Sequence, residues 1–304
     1  MTPKQRPYVA CLHEIIGIIQ NKRGAKVNIK MVGLDLDGTL LDSQKEISSY
    51  TLQILQQAME HGVEIVIATG RAMCGVPKQL LEISGIRYIV TANGARIIDI
   101  QEDNVICEMS MDKGIAKQAL DILGDYDAAR EILLGGESHM EIDKLKDIAH
   151  YLKSEAMAKY VRDTRMQADD LLEMIDHTQK SIEKVHAIFR KEEERQEAWK
   201  RIERLAEIEL CGSFGNNIEV NAKGVNKGKG LLRLGEKCGI KQEEIMAIGD
   251  DLNDLEMIKM VGLGVAMENG NELVKEAARY VTLTNDEEGV AKAIAKFVLN
   301  ESQF

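Results

Sequence analysis

Two carboxylates one residue apart form the stretch of this sequence on which its other chemistry depends. Asp35 and Asp37 follow the apolar run 31–34 and directly precede Gly38. An apolar run that ends in a turn is typical of a buried parallel strand, so the acidic residues follow the carboxyl end of that strand. Neighbouring carboxylates repel each other and lose hydration unless a cation or a shared proton compensates. The stretch therefore predicts a cation site that other acidic residues of the chain complete.

Three further stretches place polar residues at the end of a predicted strand or at the start of a predicted helix. Thr69 follows a β-branched run, Lys227 begins a helix after a glycine-containing loop, and Asp250 follows another apolar run. Open α/β sheets bind ligands at the carboxyl edge of their strands, so we expect these side chains to converge on Asp35. The neighbours that we expect at the same edge are Gly70, Arg71, Asp251, Asn253 and Asp254.

The elements that position these residues alternate between strand and helix in both terminal parts of the chain. This alternation predicts an α/β fold, with a doubly wound parallel sheet and helices on both of its faces. Between the two parts, short strand-like pieces alternate with charged helices, predicted at 143–160 and 191–208, which indicates an inserted α+β domain. The predicted division is a helical extension over 1–26, a core domain over 27–94 and 216–304, and the inserted domain over 95–215.

Composition restricts the classes of partner. The formal net charge is −11, from 39 basic and 50 acidic residues, and aromatic residues make up only 4% of the chain. These values argue against nucleic acid and favour a small-molecule substrate. The five cysteines are odd in number and form no CxxC pair, which favours reduced thiols and a cytoplasmic location over disulfides or a zinc site. No apolar run approaches the ~20 residues that cross a bilayer, so no membrane segment is predicted.

The first 26 residues form a predicted appendage. Val9, Leu12, Ile15 and Ile19 recur at helical spacing, which predicts a short amphipathic helix that packs on the edge of the core. A weaker alternative is a docking or targeting role for this segment. Secretion is disfavoured because charged residues interrupt the apolar stretch and no A-x-A-like cleavage site follows. We expect that removal of residues 1–26 leaves activity intact.

With these motifs in this order, the sequence resembles the haloacid dehalogenase-like (HAD) hydrolase superfamily. It is most similar to the Cof-type phosphatases of subclass IIB, which carry a large inserted cap of type C2B. The family's first motif, DxDGT followed by an apolar residue, is matched from Asp35 onward, and the resemblance covers about residues 27–298. Its specific pieces lie at 34–41, 68–71, 93–95, 225–228, 249–257, 264–267 and 285–290. One departure is Glu268-Asn269-Gly270, where the family more often has Gly-Asn-Ala.

The resemblance implies phosphoryl transfer through an aspartyl-phosphate intermediate. Asp35 is then the nucleophile, and Asp37 is the general acid toward the leaving alkoxide and the general base toward water. Mg²⁺ suits the oxygen ligands offered by Asp35, Asp250 and the backbone carbonyl of Asp37. Gly38 permits the tight loop that directs both carboxylates inward.

The resemblance also implies roles for the remaining residues of the predicted site. Thr69 is expected to donate its hydroxyl and its backbone N–H to the phosphate, and Lys227 to place a positive charge against the nucleophile and phosphate. Asp254 is expected to orient Lys227 or a metal-bound water, and Asn253 to contact substrate or phosphate. Gly70 is expected at the phosphate or substrate. Two residues keep alternative interpretations: Arg71 either positions the loop or the substrate or makes a structural salt bridge, and Asp251 is either an outer carboxylate or a loop residue.

The predicted function is a Mg²⁺-dependent phosphomonoester hydrolase that acts on small phosphorylated metabolites. Sugar phosphates are the first expectation, and phosphorylated cofactors such as flavin or pyridoxal phosphates are the next. The alternatives are a sugar phosphomutase of the same superfamily and a non-catalytic module that binds a phosphate ligand. Five residues of the insertion are considered as substrate contacts but are expected at the surface or in the core: His139, Glu141, Arg162, Arg165 and His186.

Overall fold

The computed structural model describes residues 28–152, 154–212 and 215–300, which form two β-sheets surrounded by helices. In chain order, the strands are β1 (Met31–Leu34), β2 (Glu64–Ala68), β3 (Tyr88–Thr91), β4 (Arg96–Asp99), β5 (Asn104–Glu108), β6 (Ala128–Leu134), β7 (Glu137–Glu141), β8 (Met166–Ala168), β9 (Ile182–Phe189), β10 (Ile208–Cys211), β11 (Asn217–Ala222), β12 (Ile245–Gly249), β13 (Leu263–Ala266) and β14 (Tyr280–Val281). The α-helices span Ser49–Glu60, Lys78–Leu81, Lys113–Gly124, Ile142–Lys146, Glu155–Thr164, Leu171–His177, Glu192–Ile202, Lys227–Cys238, Leu255–Met260, Glu272–Ala277 and Gly289–Phe297.

The larger sheet has the strand order β14-β13-β12-β1-β2-β3-β4-β5. Strands β14 to β3 in this order pair in parallel, and β4 and β5 then add in the antiparallel sense. The central strand β1 is buried along its whole length, as expected for a strand that is covered on both faces. Its neighbours are β2 and β12, so the loops that follow these three strands meet at one edge of the sheet.

Both faces of the larger sheet are covered, which confirms the predicted doubly wound fold. On β1, Val32 packs into one hydrophobic cluster and Met31 into another, because successive side chains of a strand point to opposite faces. The helices Ser49–Glu60 and Gly289–Phe297 pack together and contribute to the cluster around Val32. The helix Lys227–Cys238 contributes Leu231 and Leu234 to the cluster on the other face.

The smaller sheet has the order β10-β11-β9-β6-β7-β8, with antiparallel pairing except between β7 and β8. Helices Lys113–Gly124, Leu171–His177 and Glu192–Ile202 pack on one face of this sheet. Helix Glu155–Thr164 packs against part of the other face. We call the region around the larger sheet the core and the region around the smaller sheet the cap. Their presence matches the fold class predicted from the sequence.

The predicted boundaries of the insertion differ from the observed strand pairing at both ends. Strands β4 and β5 were expected in the inserted domain, but they extend the larger sheet through a turn after β3. Strand β11 was expected in the core, but it pairs with β9 and β10 in the cap. Its polar residues alternate with Ile218 and Val220, which is typical of a sheet with one apolar face rather than of a central parallel strand. We propose instead that the two connections lie near 109–111 and 223–225.

Two predicted cap helices are shorter than expected. The segment predicted as a helix over 143–160 overlaps the helix Ile142–Lys146, contains a 3₁₀ turn at Ile148–His150 and includes the start of the helix Glu155–Thr164. The helix predicted to reach residue 208 ends at Ile202, and a strand begins at Ile208. The predicted helix over residues 1–26 lies outside the described residues. Within the described part of the chain, none of the helices has the length and apolar character needed to cross a bilayer.

Candidate active site

The predicted site residues gather at the carboxyl edge of the core sheet, beneath the cap. Asp35 follows β1, Thr69 follows β2 and Asp250 follows β12, and these three strands are adjacent. All three residues line a cavity of about 290 Å³ between the core and the cap. The other predicted residues on its lining are Asp37, Gly70, Arg71, Asp251 and Asn253. The larger sheet therefore brings side chains from distant parts of the sequence together in one cavity.

Lys227 lies fully buried beside this cavity, at the start of the helix Lys227–Cys238. Its Nζ donates to Oδ1 of Asp35 at 2.5 Å and to Oδ1 of Asp254 at 2.6 Å. Burial alone would lower the pKa of Lys227, but the two carboxylates outweigh this effect and raise the pKa above its usual value. The ammonium group therefore stays charged between Asp35 and Asp254.

Asp254 joins Lys227 to the loop that follows β12. Its Oδ2 accepts hydrogen bonds from the backbone N–H groups of Asp250 at 3.0 Å and Asp251 at 3.2 Å. Both carboxylate oxygens of Asp254 are thus engaged by protein donors, since Oδ1 accepts from Lys227. The role of Asp254 as the residue that orients Lys227 stays a prediction, and these contacts are the ones that it requires.

Asp35 and Asp250 face each other across the tight loop after β1. Together with Asp254 they offer carboxylate oxygens that lie within 4.8 Å of one another. The Thr39 hydroxyl donates to Oδ1 of Asp250 at 2.7 Å. Gly38 has a φ of +84°, and a Cβ at this position would lie 2.4 Å from Oδ2 of Asp250. The glycine is therefore required both by the backbone conformation and by the close approach of Asp250.

The electrostatics of this carboxylate cluster fit a divalent cation. Burial first, and then the charge of Asp254, raise the pKa of Asp35. Burial first, and then the charges of Asp35 and Asp254, raise the pKa of Asp250. A cation bound between Asp35 and Asp250 would relieve this repulsion, and a donor set of oxygens alone suits Mg²⁺.

Asp37 is held by two cations on the other side of the cavity. Arg71 donates from Nε to Oδ2 at 2.8 Å and from Nη2 to Oδ1 at 2.7 Å, and Lys45 Nζ donates to Oδ1 at 2.8 Å. Burial acts to raise the pKa of Asp37, but Arg71 and Lys45 outweigh it and lower the pKa to about 2. Of the two interpretations left open for Arg71, the structure shows the salt bridge, and its partner is a predicted catalytic residue.

The loop Thr69-Gly70-Arg71 differs in one detail from the prediction. The backbone N–H of Thr69 donates to the carbonyl of Val90 at 2.8 Å, so it continues the pairing of β2 with β3 instead of facing a phosphate. The Thr69 hydroxyl accepts from the Arg71 N–H at 3.1 Å and still has its own proton to donate. A sequence motif does not reveal which backbone groups the neighbouring strand already occupies.

The cap supplies cavity residues that sequence reasoning missed or placed elsewhere. Glu131, Lys184 and Glu219 line the cavity, and so do Arg165 and His186, which were expected at the surface or in the core. The available signal was a recurrence of polar residues at every second position, Lys184 and His186 in β9 and Glu219 and Asn221 in β11, because such residues share one sheet face. The other three cap candidates lie outside the cavity lining: His139 is in a separate cavity, and Glu141 and Arg162 pair with Arg130 and Glu155.

Comparison with known proteins is consistent with this site. The family model described as haloacid dehalogenase-like hydrolase matches residues 32–294. The 5-amino-6-(5-phospho-D-ribitylamino)uracil phosphatase YcsE of Bacillus subtilis is 33% identical over 275 residues, which cover 90% of this chain and 97% of that protein. Phosphatase YwpJ of the same organism is 33% identical over 284 residues, with 86% and 98% coverage.

Solved structures give the same result. A haloacid dehalogenase-like hydrolase from B. subtilis superposes with a TM-score of 0.79 and 30% identity, over 88% of this chain and 99% of that one. The HAD subclass IIB sugar phosphatase BT4131 superposes with a TM-score of 0.74 and 26% identity, over 88% and 98%. The chain belongs to the haloacid dehalogenase-like hydrolases, as its motifs suggested. The predicted enzyme class, a phosphatase of this family, is confirmed.

Proposed function

We propose that this protein is a Mg²⁺-dependent phosphomonoester hydrolase that forms an aspartyl-phosphate on Asp35. The observation that carries the proposal is the position of Asp35, which lines the cavity while Lys227 holds its Oδ1 at 2.5 Å. Attack by the other carboxylate oxygen would form the new O–P bond as the bond from phosphorus to the leaving oxygen breaks. Lys227 would offset the charge on the phosphoryl oxygens, and the Thr69 hydroxyl would donate to them.

Asp37 is the proposed proton carrier. Arg71 and Lys45 hold the pKa of Asp37 at about 2, so the carboxylate is ionised in the free enzyme. A bound phosphate dianion would oppose that ionisation and favour uptake of the proton that the leaving alkoxide then receives. In the second step the ionised carboxylate would accept a proton from the water that hydrolyses the aspartyl-phosphate.

Asp35, Asp250 and the backbone carbonyl of Asp37 are the proposed ligands of Mg²⁺. The fit rests on the oxygen donor set and on burial and neighbouring acidic charge, which raise the pKa of both Asp35 and Asp250. The ion would supply Lewis-acid neutralisation of phosphate charge. Asp254 would hold Lys227 in place, and Asn253, Gly70 and Asp251 would complete the wall around the phosphate.

For the substrate, we propose a small phosphorylated metabolite. Support comes from relatives whose names describe a ribitylaminouracil phosphatase and a sugar phosphatase. The cavity of about 290 Å³ is of the size that small ligands occupy. We also propose a cytoplasmic location, supported by the cysteine pattern. The docking role considered for residues 1–26 concerns a segment outside the described residues.

The direct test is Asp35→Asn. We expect this variant to fold and to release no phosphate from 4-nitrophenyl phosphate, because an amide is a poor nucleophile at phosphorus. Asp42→Asn is the matched control, since the Asp42 side chain accepts backbone hydrogen bonds from Gln44 and Glu46 and lies outside the cavity lining. Wild-type turnover by Asp35→Asn would exclude the nucleophile. Interconversion of isomeric sugar phosphates without phosphate release would indicate a phosphomutase instead.

Metal removal tests the second part of the proposal. We expect excess chelator to abolish phosphate release and added Mg²⁺ to restore it, because the crowded carboxylates need a cation to orient a phosphate. Asp250→Asn should require a higher Mg²⁺ concentration for half-maximal activity than the wild type does. Full activity of the wild type in excess chelator would rule out the metal assignment.

A further inference from the structure

The cap end of the cavity is formed by one helix face and one sheet face. Helix Glu155–Thr164 contributes Met157, Tyr160 and Val161, which share a face at spacings of three and four residues. The sheet contributes a row across three strands, in which His186 of β9 lies opposite Glu131 of β6 and Glu219 of β11. A leaving group attached to the phosphate would occupy the space between these two faces.

Glu131 is neutralised by Arg165 within the wall of the cavity. Arg165 Nε lies 3.0 Å from Oε2 of Glu131, and its Nη2 lies 3.3 Å from Oε1. Burial would raise the pKa of Glu131, but Arg165 and His186 outweigh it and hold the pKa well below its usual range. Arg165 also lies over the Tyr160 ring, with its guanidinium carbon 5.0 Å from the ring centroid. The pair is therefore ionised and fixed.

Glu219 is neutralised in the same way by Lys184. Lys184 Nζ donates to Oε2 of Glu219 at 2.9 Å and to the carbonyl of Gly70 at 2.7 Å. The same carboxylate accepts from the Asn93 amide of the core. These contacts leave Lys184 and Glu219 nearly fully buried, so the second ion pair is as enclosed as the first.

His186 lies between the two ion pairs of the row. The Asn217 amide nitrogen lies 3.1 Å from His186 Nε2, and His186 Nδ1 lies 3.4 Å from Oε1 of Glu131. Among the described cap residues that line the cavity, two carboxylates are thus paired with a lysine and an arginine, and the His186 ring lies between the two pairs. The rest of this wall is mainly apolar, formed by Leu133, Leu152, Met157, Val161 and Ile188 with the Tyr160 ring.

We infer that this site selects phosphate esters whose leaving group carries no charge, an inference that rests on the proposed hydrolase function. A second phosphate, a carboxylate or an ammonium group on the leaving group would lose its hydration on entering the cap end. The charges there are already paired with one another, and the apolar wall offers no compensating partner. An uncharged polyol can instead exchange hydrogen bonds with the paired groups while its carbon skeleton contacts the apolar wall.

The test compares two substrates that differ in one group. Sorbitol 6-phosphate ends in CH₂OH where 6-phosphogluconate ends in a carboxylate, and phosphate release gives kcat/KM for each. We expect the wild type to prefer sorbitol 6-phosphate by about tenfold or more, the ratio that corresponds to a modest desolvation cost. Equal or higher kcat/KM for 6-phosphogluconate would overturn the inference. Absence of phosphate release even from 4-nitrophenyl phosphate would instead overturn the hydrolase proposal.

Two variants of the Glu131–Arg165 pair must move the preference in opposite directions. Glu131→Gln keeps the side-chain shape but leaves Arg165 unpaired, so the preference for sorbitol 6-phosphate should fall about fivefold or more. Arg165→Gln leaves Glu131 unpaired, so the preference should rise. A structural defect would lower both kcat/KM values without this opposite change, and a change of the same sign in both variants would contradict the inference.

Glu137→Gln is the matched control for these variants. Glu137 lies on β7 of the same sheet and also pairs with a cation, Lys180, but it is outside the lining of the active-site cavity. We expect its substrate preference to equal that of the wild type. Thermal unfolding of each variant identifies any that does not fold. If one variant of the Glu131–Arg165 pair does not fold, the direction in which the other changes the substrate preference decides the test.

Discussion

The ammonium group of Lys227 joins the two loops that carry the acidic residues of the site. It contacts Asp35 after β1 and Asp254 before the helix Leu255–Met260, and it is fully buried. A buried cation is tolerated only because carboxylates compensate for its lost hydration. The reverse also holds, since Asp35 and Asp254 would repel each other without the lysine between them.

Lys227→Met should therefore be destabilising as well as inactive. Removal of one partner of a buried ionic cluster costs about 3–5 kcal/mol, because the remaining charges stay buried without compensation. Urea unfolding followed by circular dichroism measures the loss, and phosphate release measures activity. A variant with unchanged stability would mean that the carboxylates do not depend on Lys227.

Lys229→Met is the control on the same helix. Lys229 Nζ pairs with Glu209 at 3.3 Å, and both side chains are about one-third exposed. Exposed pairs contribute about 1 kcal/mol or less, so this variant should stay close to the wild type in both measurements. A similar loss in the two variants would show that helix composition, rather than the buried cluster, sets the stability.

At the scale of elements, the start of helix Lys227–Cys238 sets the position of the lysine. Asn226 caps the helix, because its side-chain oxygen accepts from the Lys229 N–H at 2.9 Å. The turn after β3 packs directly against this helix start. Gly94 has a φ of +97°, and a Cβ there would lie 2.4 Å from the carbonyl oxygen of Asn226. The turn after β3, a strand of the larger sheet, thus restrains the position of the helix start.

Asn226→Ala should cost about 1 kcal/mol of folding free energy, the usual effect of a lost N-cap. Asn226→Ser, which retains a capping oxygen, should recover most of the loss. Because the N-cap residue Asn226 directly precedes Lys227, kcat should fall in the alanine variant and recover in the serine variant. Chemical denaturation and steady-state kinetics check the two effects. Equal kcat in the wild type and both variants would show that the Asn226 N-cap does not contribute to catalysis.

At the scale of the whole molecule, the cap and the core contact each other through charged and aromatic groups around the cavity. Lys184 donates to the Gly70 carbonyl, and the Arg71 guanidinium carbon lies 4.4 Å from the centroid of the Tyr160 ring. The loop between Thr69 and Arg71 is therefore held from the cap at two consecutive residues. Closure of the cap over the core would exclude water from the phosphate and strengthen the electrostatic interactions inside.

Acidification should lower the stability of the cap against unfolding. Glu131 and Glu219 have a lowered pKa in the folded protein because their cationic partners outweigh the effect of burial. The stability they contribute is complete above the unfolded pKa of 4.5 and is lost as pH falls below that value toward their folded pKa. Fluorescence of Trp199, the single tryptophan, reports on the cap helix Glu192–Ile202. We expect its urea midpoint to be lower at pH 4 than at pH 7.

A double variant and the opposite behaviour expected of the core make this prediction specific. Glu131→Gln and Glu219→Gln together should reduce the pH dependence of the Trp199 midpoint, because the titrating groups are gone. Asp35 and Asp250 have a raised pKa, so in chelator their protonation should stabilise the core on acidification, opposite to the cap. An unchanged pH dependence in the double variant would contradict the assignment to Glu131 and Glu219.

The sequence by itself determined the edge of the core at which the predicted site residues gather. Apolar runs that end at Asp35, Thr69 and Asp250 are local patterns, and parallel strands necessarily bring their carboxyl ends to one edge. The alternation of strands and helices likewise predicted the doubly wound sheet. These features depend on residues near each other in the chain, so a single sequence contains them.

Only the tertiary structure decided which strands belong to the cap and what lines the cap end of the cavity. Strand β9, one of the two partners of β11, is separated from it in the chain by the helix Glu192–Ile202 and strand β10, and this pairing turns Glu219 toward the core. The salt bridge of Arg71 with Asp37 and the neutral pairing of Glu131 with Arg165 also join residues 34 positions apart in each case. Charge compensation of this kind depends on distance and burial in space, which sequence spacing does not specify.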